Sequence, residues 1–305
     1  MAVHHRPCGP DWLDAKIAAG RPIIIDGAMG TELEARGVPM NATAWSGAAV
    51  LSHPDVVRAV HADYIDAGAE VIITNTFAAG RQALESAGLG EQFSRVNAEA
   101  VRAARIARDG SGSSPVAIAG SMCPWVDSGA GRSEKRLAAE YREQADILAA
   151  EGVDLLALEM CTHPVYTPLM IEAAVATGLP VWLGLSCRRM GDSADLVSFD
   201  PPHVDFRELV IDVVDRGASV INIMHTTVDD TPPGLAVLED LWQGPVGVYP
   251  ESGYFVMPSW QFVDIIGTDE LVACARVWVD GGVRILGGCC GLGVAHVRAL
   301  SDAFA

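Results

Sequence analysis

The sequence has few positive charges and no long apolar run. Its 21 lysine and arginine residues stand against 39 aspartate and glutamate residues, and the formal net charge is −18. This balance repels phosphate backbones and anionic membrane surfaces, so we expect no nucleic-acid partner. No segment stays apolar and uncharged long enough to cross a bilayer, and the N-terminus has no secretory apolar stretch. We therefore expect a cytoplasmic protein with a small-molecule function.

Two common catalytic signatures are missing as well. No Gly-x-Ser-x-Gly elbow follows an apolar run, which argues against a serine hydrolase. Gly291-Leu292-Gly293 is only a fragment of a dinucleotide-binding fingerprint and indicates close backbone packing. Internal repeats and low-complexity linkers are also lacking, so the sequence predicts a single domain over residues 1–305.

Two adjacent cysteines, Cys289 and Cys290, stand out inside a glycine-rich segment close to the C-terminus. A disulfide explains them poorly, because neighbouring cysteines form a strained ring and the total of seven cysteines is odd. Thiolates bind Zn²⁺, and glycines allow the backbone to present both sulfurs to one point. The alternative is a pair of small buried residues, since unpaired cysteine is often buried. The pair alone leaves both interpretations open.

Short apolar runs alternate with amphipathic segments along the chain. Each run is bounded by glycine, proline or polar residues, as expected for strands buried on both faces. The predicted strands are residues 22–25, 71–74, 116–119, 155–158, 181–185, 220–223, 246–248 and 283–286. The predicted helices are residues 54–67, 91–108, 134–150, 168–176, 205–216, 233–242, 258–280 and 294–304. Eight such units favour an α/β fold of the (β/α)₈ TIM-barrel type over an open doubly wound sheet.

Polar residues follow almost every predicted strand. In a barrel, the chemistry lies where strands end and the following loops begin. Any one of these residues has the alternative role of a turn residue or helix cap, but their joint occurrence favours a metal or acid–base site. The residues are Asp26, Asn75, Ser121, Glu159, Ser186, Cys187, His225, Tyr249, Glu251, Cys289 and Cys290.

These motifs resemble the homocysteine S-methyltransferase family almost from end to end. The resemblance rests on the segments 26–33, 74–77, 119–121 with Pro124, 158–159, 248–250 with 252–253, and 287–291. It implies a zinc-dependent barrel in which Cys289 and Cys290 bind Zn²⁺ while Asp26 and Glu159 hold the amino group of an amino-acid substrate. We predict that Asn75, Ser121, Tyr249 and Glu251 also belong to the substrate pocket.

The sequence departs from this resemblance at three positions. Relatives carry a third zinc cysteine after an asparagine on the sixth strand, whereas Asn222 is followed here by Ile223. Because side chains alternate along a strand, we expect His225 to emerge on the same side as Ile223 and to complete a Cys₂His site. The alternative is an ordinary pocket histidine.

Glu251 stands where relatives usually have asparagine, and an acid there favours a cationic substrate. Met160 stands where relatives tend to have threonine, so the acceptor pocket is also expected to differ.

The predicted activity is zinc-dependent methyl transfer to a thiol, with homocysteine as the expected acceptor and methionine as the product. A chain of one barrel leaves no room for folate or cobalamin modules, so a free donor such as S-methylmethionine, S-adenosylmethionine or a betaine-like compound is expected. Two alternatives stay open: demethylation of another methylated sulfur or nitrogen compound, and a zinc-free barrel that only binds a metabolite. A homo-oligomer is compatible with the sequence.

Overall fold

Short strands alternate with helices through the residues that the computed structural model describes, which are 6–112, 115–124, 131–191, 193, 195–200, 202–256 and 259–304. The strands are β1 (Ile23–Ile24), β2 (Val71–Ile73), β3 (Ala117–Met122), β4 (Leu155–Leu158), β5 (Val181–Leu185), β6 (Cys187–Arg189), β7 (Leu196–Ser198), β8 (Val220–Thr227), β9 (Val246–Glu251), β10 (Tyr254–Val256), β11 (Ser259–Gln261) and β12 (Ile285–Leu286).

Eight of these strands form one parallel sheet in the order β1-β12-β9-β8-β5-β4-β3-β2. The two ends of the sheet meet at a parallel bridge between Ile25 and Val71. There the backbone N–H of Asp26 donates to the carbonyl of Val71 at 3.0 Å. The sheet therefore closes on itself, which confirms the (β/α)₈ barrel and excludes the open doubly wound sheet.

Twelve α-helices are found in the described part of the chain. They are α1 (Asp11–Ala18), α2 (Met29–Ala35), α3 (Ala49–Ser52), α4 (Pro54–Asp66), α5 (Arg81–Ser86), α6 (Phe93–Gly110), α7 (Glu134–Ala150), α8 (Tyr166–Val175), α9 (Phe206–Val213), α10 (Thr231–Leu241), α11 (Thr268–Asp280) and α12 (Val294–Phe304). Seven of the eight predicted helices match these within a few residues.

The predicted helix over residues 258–280 is wrong in its first half. The helix begins at Thr268, whereas Ser259–Gln261 pairs antiparallel with Tyr254–Val256 as a hairpin. Pro258, where the predicted helix began, lies outside the described residues. The predicted helix failed because residues 259–263 carry apolar and aromatic side chains that suit a hairpin as well as a helix.

The apolar side chains of the barrel strands separate into two layers. Side chains such as Ala119, Ala157 and Val220 fill the barrel interior, whereas Ile118 and Leu156 pack outward against the helices. Successive side chains on a strand point to opposite faces, so both faces of each strand are buried. This explains why the strands are short continuous apolar runs.

The amino-terminal end of the barrel is closed by the segment before β1. Leu13 of α1 is fully buried within the interior layer, and the indole N–H of Trp182 donates to the carbonyl of Cys8 at 2.7 Å. This plug leaves the opposite, carboxyl end of the strands as the open mouth of the barrel. Among the described helices, none combines the length and the apolarity that a bilayer span requires.

His61 on α4 gives the fold a specific sensitivity to acid. Its side chain is fully buried, neither ring nitrogen has a hydrogen-bond partner among the described residues, and burial lowers its pKa to about 3. The unfolded chain binds a proton near pH 6.5. In the folded state His61 does not bind this proton until the pH approaches 3. Protonation of the unfolded chain therefore lowers the unfolding free energy as the pH falls from 6.5 towards 3.

We expect His61→Leu to remove this loss. Relative to the variant, the wild type should lose about 1.4 kcal/mol of unfolding free energy for each pH unit below 6.5. Urea unfolding of both proteins at pH 7.5 and 5.5 measures the difference. Equal pH dependence in the two proteins would contradict the assignment.

Candidate metal and substrate site

Cys289 and Cys290 lie at the mouth, in the turn that follows β12. The N–H of Cys289 donates to the carbonyl of Pro250 at 2.8 Å, and the carbonyl of Cys290 accepts from the N–H of Ser252 at 2.9 Å. Gly291 ends the turn with a φ of 82°, and a Cβ there would lie 1.9 Å from the carbonyl oxygen of Ser252. The two thiols are therefore held against the end of β9 by a turn that requires glycine.

His225 reaches the same mouth through an irregularity in β8. Met224 pairs with Tyr249 and Thr227 pairs with Glu251, so β8 contains one residue more than β9 over this interval. His225 lies in this bulge with a φ of 44°, a left-handed conformation that is uncommon for residues other than glycine. Bulges re-aim side chains in this way, often beside active sites.

The expectation that His225 and Ile223 lie on the same side is wrong. Ile223 is fully buried in the outer layer, where its Cδ1 would lie 3.2 Å from a Cβ placed on Gly234 of α10. A side chain at position 223 therefore faces the helices and cannot supply a ligand at the mouth. Simple alternation failed because the extra residue of the bulge turns His225 inward.

The three side chains form a compact group of donor atoms. The sulfurs of Cys289 and Cys290 and a ring nitrogen of His225 all lie within 4.8 Å of one another. Nδ1 of His225 is 3.4 Å from Sγ of Cys289. Tetrahedral zinc with sulfur and nitrogen ligands places these donors about 3.5 Å apart. The chemistry of the donors and this spacing both fit a zinc ion.

Charge at the cluster is distributed unevenly between the two thiols. A hydrogen bond from the thiol of Cys290, together with the nearby charge of His225, lowers the pKa of Cys289. The pKa of Cys290 is raised by the same hydrogen bond and by burial. Burial lowers the pKa of His225, but Glu251 and Cys289 outweigh it and raise this pKa to about 9. Binding a metal must therefore displace protons from the ring and from a thiol.

Glu251 lies beside His225, on the ring edge opposite the thiols. The Oε2 atom of Glu251 is 3.1 Å from Nε2 of His225, and Glu251 is only 7 % exposed. Burial raises the pKa of Glu251 to about 7, against the opposing effect of His225. The acid predicted to meet substrate thus contacts the imidazole directly.

Asp26 and Glu159 provide two further buried acids at the mouth. Oδ2 of Asp26 accepts a hydrogen bond from the N–H of Ile73 at 2.8 Å, but its buried Oδ1 has no partner among the described residues. Glu159 accepts a hydrogen bond from the hydroxyl of Ser121. Burial raises the pKa of both acids, that of Glu159 to about 8. A cation between them would stabilise their ionised forms.

The other predicted pocket residues take different positions. Asn75 donates to the carbonyl of Ser46 at 2.9 Å, so it holds the loop that precedes α3. Tyr249 is buried in the interior layer. Ser186 donates to the sulfur of Met224 at 3.1 Å.

Cys187 is not part of this mouth. It is fully buried in the outer layer, and its sulfur would lie 3.0 Å from a Cβ placed on Gly234 of α10. The strand-end position therefore carries Cys187 towards the helices, away from Cys289 and His225.

A series of aromatic rings at the mouth was missed in the sequence. The ring of Trp260 lies 6.0 Å from that of His225 and 6.4 Å from that of Phe255, and Trp45 lies 6.1 Å from Phe255. Phe199 adds a ring 4.9 Å from His225 on another side. These residues come from three separate loops and hairpins, so no spacing in the sequence marks them as a group.

Two thiols, an imidazole and buried acids converge at the carboxyl end of a (β/α)₈ barrel, which is where barrel enzymes carry out their chemistry. The fold and the site thus define the class of barrel enzymes with a sulfur-rich centre. The model of the family described as homocysteine S-methyltransferase matches residues 23–304. The chain belongs to the homocysteine S-methyltransferase family and is a methyltransferase.

Individual relatives agree with this assignment. A homocysteine S-methyltransferase of Escherichia coli is 31 % identical over 305 residues, covering 91 % of this chain and 94 % of the relative. Homocysteine S-methyltransferase 4 of Zea mays is 29 % identical, covering 93 % and 90 %. The metallated crystal form of the Escherichia coli homocysteine methyltransferase MmuM superposes with a TM-score of 0.77 at 25 % identity, covering 95 % of this chain and 99 % of that one.

Gly291→Ala should damage the thiol turn. The new Cβ meets a backbone carbonyl and forces alanine into a left-handed conformation, so we expect a loss of about 1–3 kcal/mol in unfolding free energy. Denaturant unfolding measures this loss. Gly110→Ala is the matched control, since a Cβ there meets no described heavy atom within 4 Å beyond its chain neighbours and the backbone of its own helix. A Gly291→Ala protein as stable as the control would contradict the described turn.

Proposed function

We propose that this methyltransferase transfers a methyl group from a small onium donor to the thiol of homocysteine, with zinc held by Cys289, Cys290 and His225. The observation that carries the proposal is the group of three donor atoms within 4.8 Å at the barrel mouth. Buried acids beside this group and the relatives that are named for homocysteine support the same reaction.

Zinc fits the donor set better than a harder cation does. Thiolates are soft ligands that select zinc among the common divalent ions, and imidazole suits it as well. Three protein ligands leave one position for a substrate atom, as in catalytic zinc sites. The metallated state of MmuM supports a metal in this family. When bound, zinc supplies a Lewis acid that lowers the pKa of a substrate thiol towards neutrality.

The amino group of homocysteine is assigned to Asp26 and Glu159. A substrate ammonium would donate to the unpartnered Oδ1 of Asp26 and would compensate the charge of Glu159. Ser121 orients the Glu159 carboxylate by donating its hydroxyl hydrogen. The protein thereby fixes one end of the acceptor while its sulfur lies at the thiol cluster.

The donor is assigned to the aromatic side of the mouth. Trp260, Phe255 and Trp45 present rings that attract a sulfonium or quaternary ammonium group through cation–π interactions. In the reaction, the acceptor sulfur forms a bond to the methyl carbon as the bond to the onium atom breaks. The onium atom keeps that electron pair and becomes neutral, and the thiol proton leaves to solvent.

Metal analysis of the purified protein tests the centre of the proposal. We expect about one zinc per chain, a loss of most of it in Cys289→Ser and His225→Ala, and a parallel loss of methyl transfer. Cys274→Ser removes a thiol on α11 away from the cluster and should keep both zinc and activity. A wild-type protein without metal would favour the metabolite-binding barrel instead.

Glu159→Gln tests the assignment of the acceptor. Losing a charge-assisted contact costs about 1.5–3 kcal/mol, so KM for homocysteine should rise about 10-fold to 100-fold. 4-Mercaptobutanoate lacks the amino group and serves as the matched acceptor, for which wild type and variant should differ less than about 3-fold. Similar changes for both acceptors would place the amino group elsewhere.

A further inference from the structure

The two nitrogens of the His225 ring face opposite partners. Nδ1 lies 3.4 Å from Sγ of Cys289, and Nε2 lies 3.1 Å from Oε2 of Glu251. The side chain of His225 is only 14 % exposed and that of Glu251 only 7 %. The imidazole therefore links the thiol cluster to a buried carboxylate.

The position of Glu251 follows from the same bulge that turns His225 inward. Glu251 is the last residue of β9 and pairs with Thr227, two residues beyond His225 in β8. Without the extra residue in β8, the strand register would not bring the side chains of His225 and Glu251 together. The contact is thus built into the sheet.

No other polar group in the described residues accounts for the burial of this carboxylate atom. Oε2 of Glu251 has no hydrogen-bond partner among the described residues, and Nε2 of His225, 3.1 Å away, is the cationic group that the described structure places in ion-pair contact with it. An ionised carboxylate buried without a partner is costly. His225 is the described partner that offsets this cost.

We propose that Glu251 is a positioning residue for the metal ligand and not a substrate-binding acid. A carboxylate at Nε2 retains the ring hydrogen there, so that the lone pair of Nδ1 points at the thiols. This inference rests on the proposed zinc site.

Zinc affinity of the full chain, measured by competition with a chromophoric chelator, tests the role of Glu251. Loss of an outer partner of a zinc histidine typically weakens metal binding about 10-fold to 100-fold, and we expect this for Glu251→Gln. Asp200→Asn is the control, because Asp200 is a nearby, partly buried acid whose charge affects His225 less than the charge of Glu251 does. It should change the affinity less than about 3-fold. A Glu251→Gln protein within that limit would overturn the proposal.

The His225→Cys background separates positioning from general electrostatics. Cysteine has no second N–H for Glu251 to hold, so Glu251→Gln should no longer weaken zinc binding there. Visible spectra of the cobalt-substituted proteins check that the introduced cysteine binds the metal, since they should show one more sulfur ligand in His225→Cys than in the wild type. A loss of affinity from Glu251→Gln that persists in His225→Cys would show a merely structural or long-range role and would refute the inference.

His225→Ala distinguishes this inference from the proposed function. If His225→Ala binds zinc as tightly as the wild type, the metal site itself is wrong, and the role of Glu251 fails with it. If His225→Ala weakens zinc binding strongly while Glu251→Gln does not, the zinc site stands and only the positioning role is refuted. Circular dichroism at 25 °C checks that each variant is folded.

Discussion

The contact between Nδ1 of His225 and Sγ of Cys289 is the interaction on which the proposed zinc site of this barrel depends. It brings together residues 64 positions apart in the chain, and one extra residue in β8 makes it possible. A left-handed conformation at a residue other than glycine costs about 1–3 kcal/mol and persists only where the surrounding structure imposes it. Here the parallel pairing on both sides of the bulge imposes it.

The same mouth concentrates buried acids that the neighbouring described residues compensate only in part. Burial raises the pKa values of Asp26, Glu159 and Glu251 together, and Oδ1 of Asp26 has no partner in the described residues. Such groups are costly in a folded protein unless cations are supplied. A substrate ammonium and a metal ion are the cations that the proposed reaction provides. Their binding would offset the free-energy cost of burying these acids.

Two of the positions at which the sequence departs from its resemblance are in contact. His225 and Glu251 lie 26 residues apart on neighbouring strands, and their side chains meet at 3.1 Å. The sequence showed each as a separate change, one affecting the metal and one affecting the substrate. Their contact favours a single change in the proposed metal centre, and the proposed function then leaves the substrate cation to Asp26, Glu159 and the aromatic rings.

The sequence by itself determined the architecture and the local motifs. Alternating apolar runs and helices specified the barrel, because strands buried on both faces need continuous apolar side chains. The Cys289-Cys290 pair was visible because its partners are adjacent in the chain. Tertiary structure alone decided how His225 reaches the thiols, that Cys187 faces the helices, and that rings from separate loops meet. A bulge changes which face a side chain occupies, and such a one-residue shift depends on the pairing of whole strands and leaves no local signal.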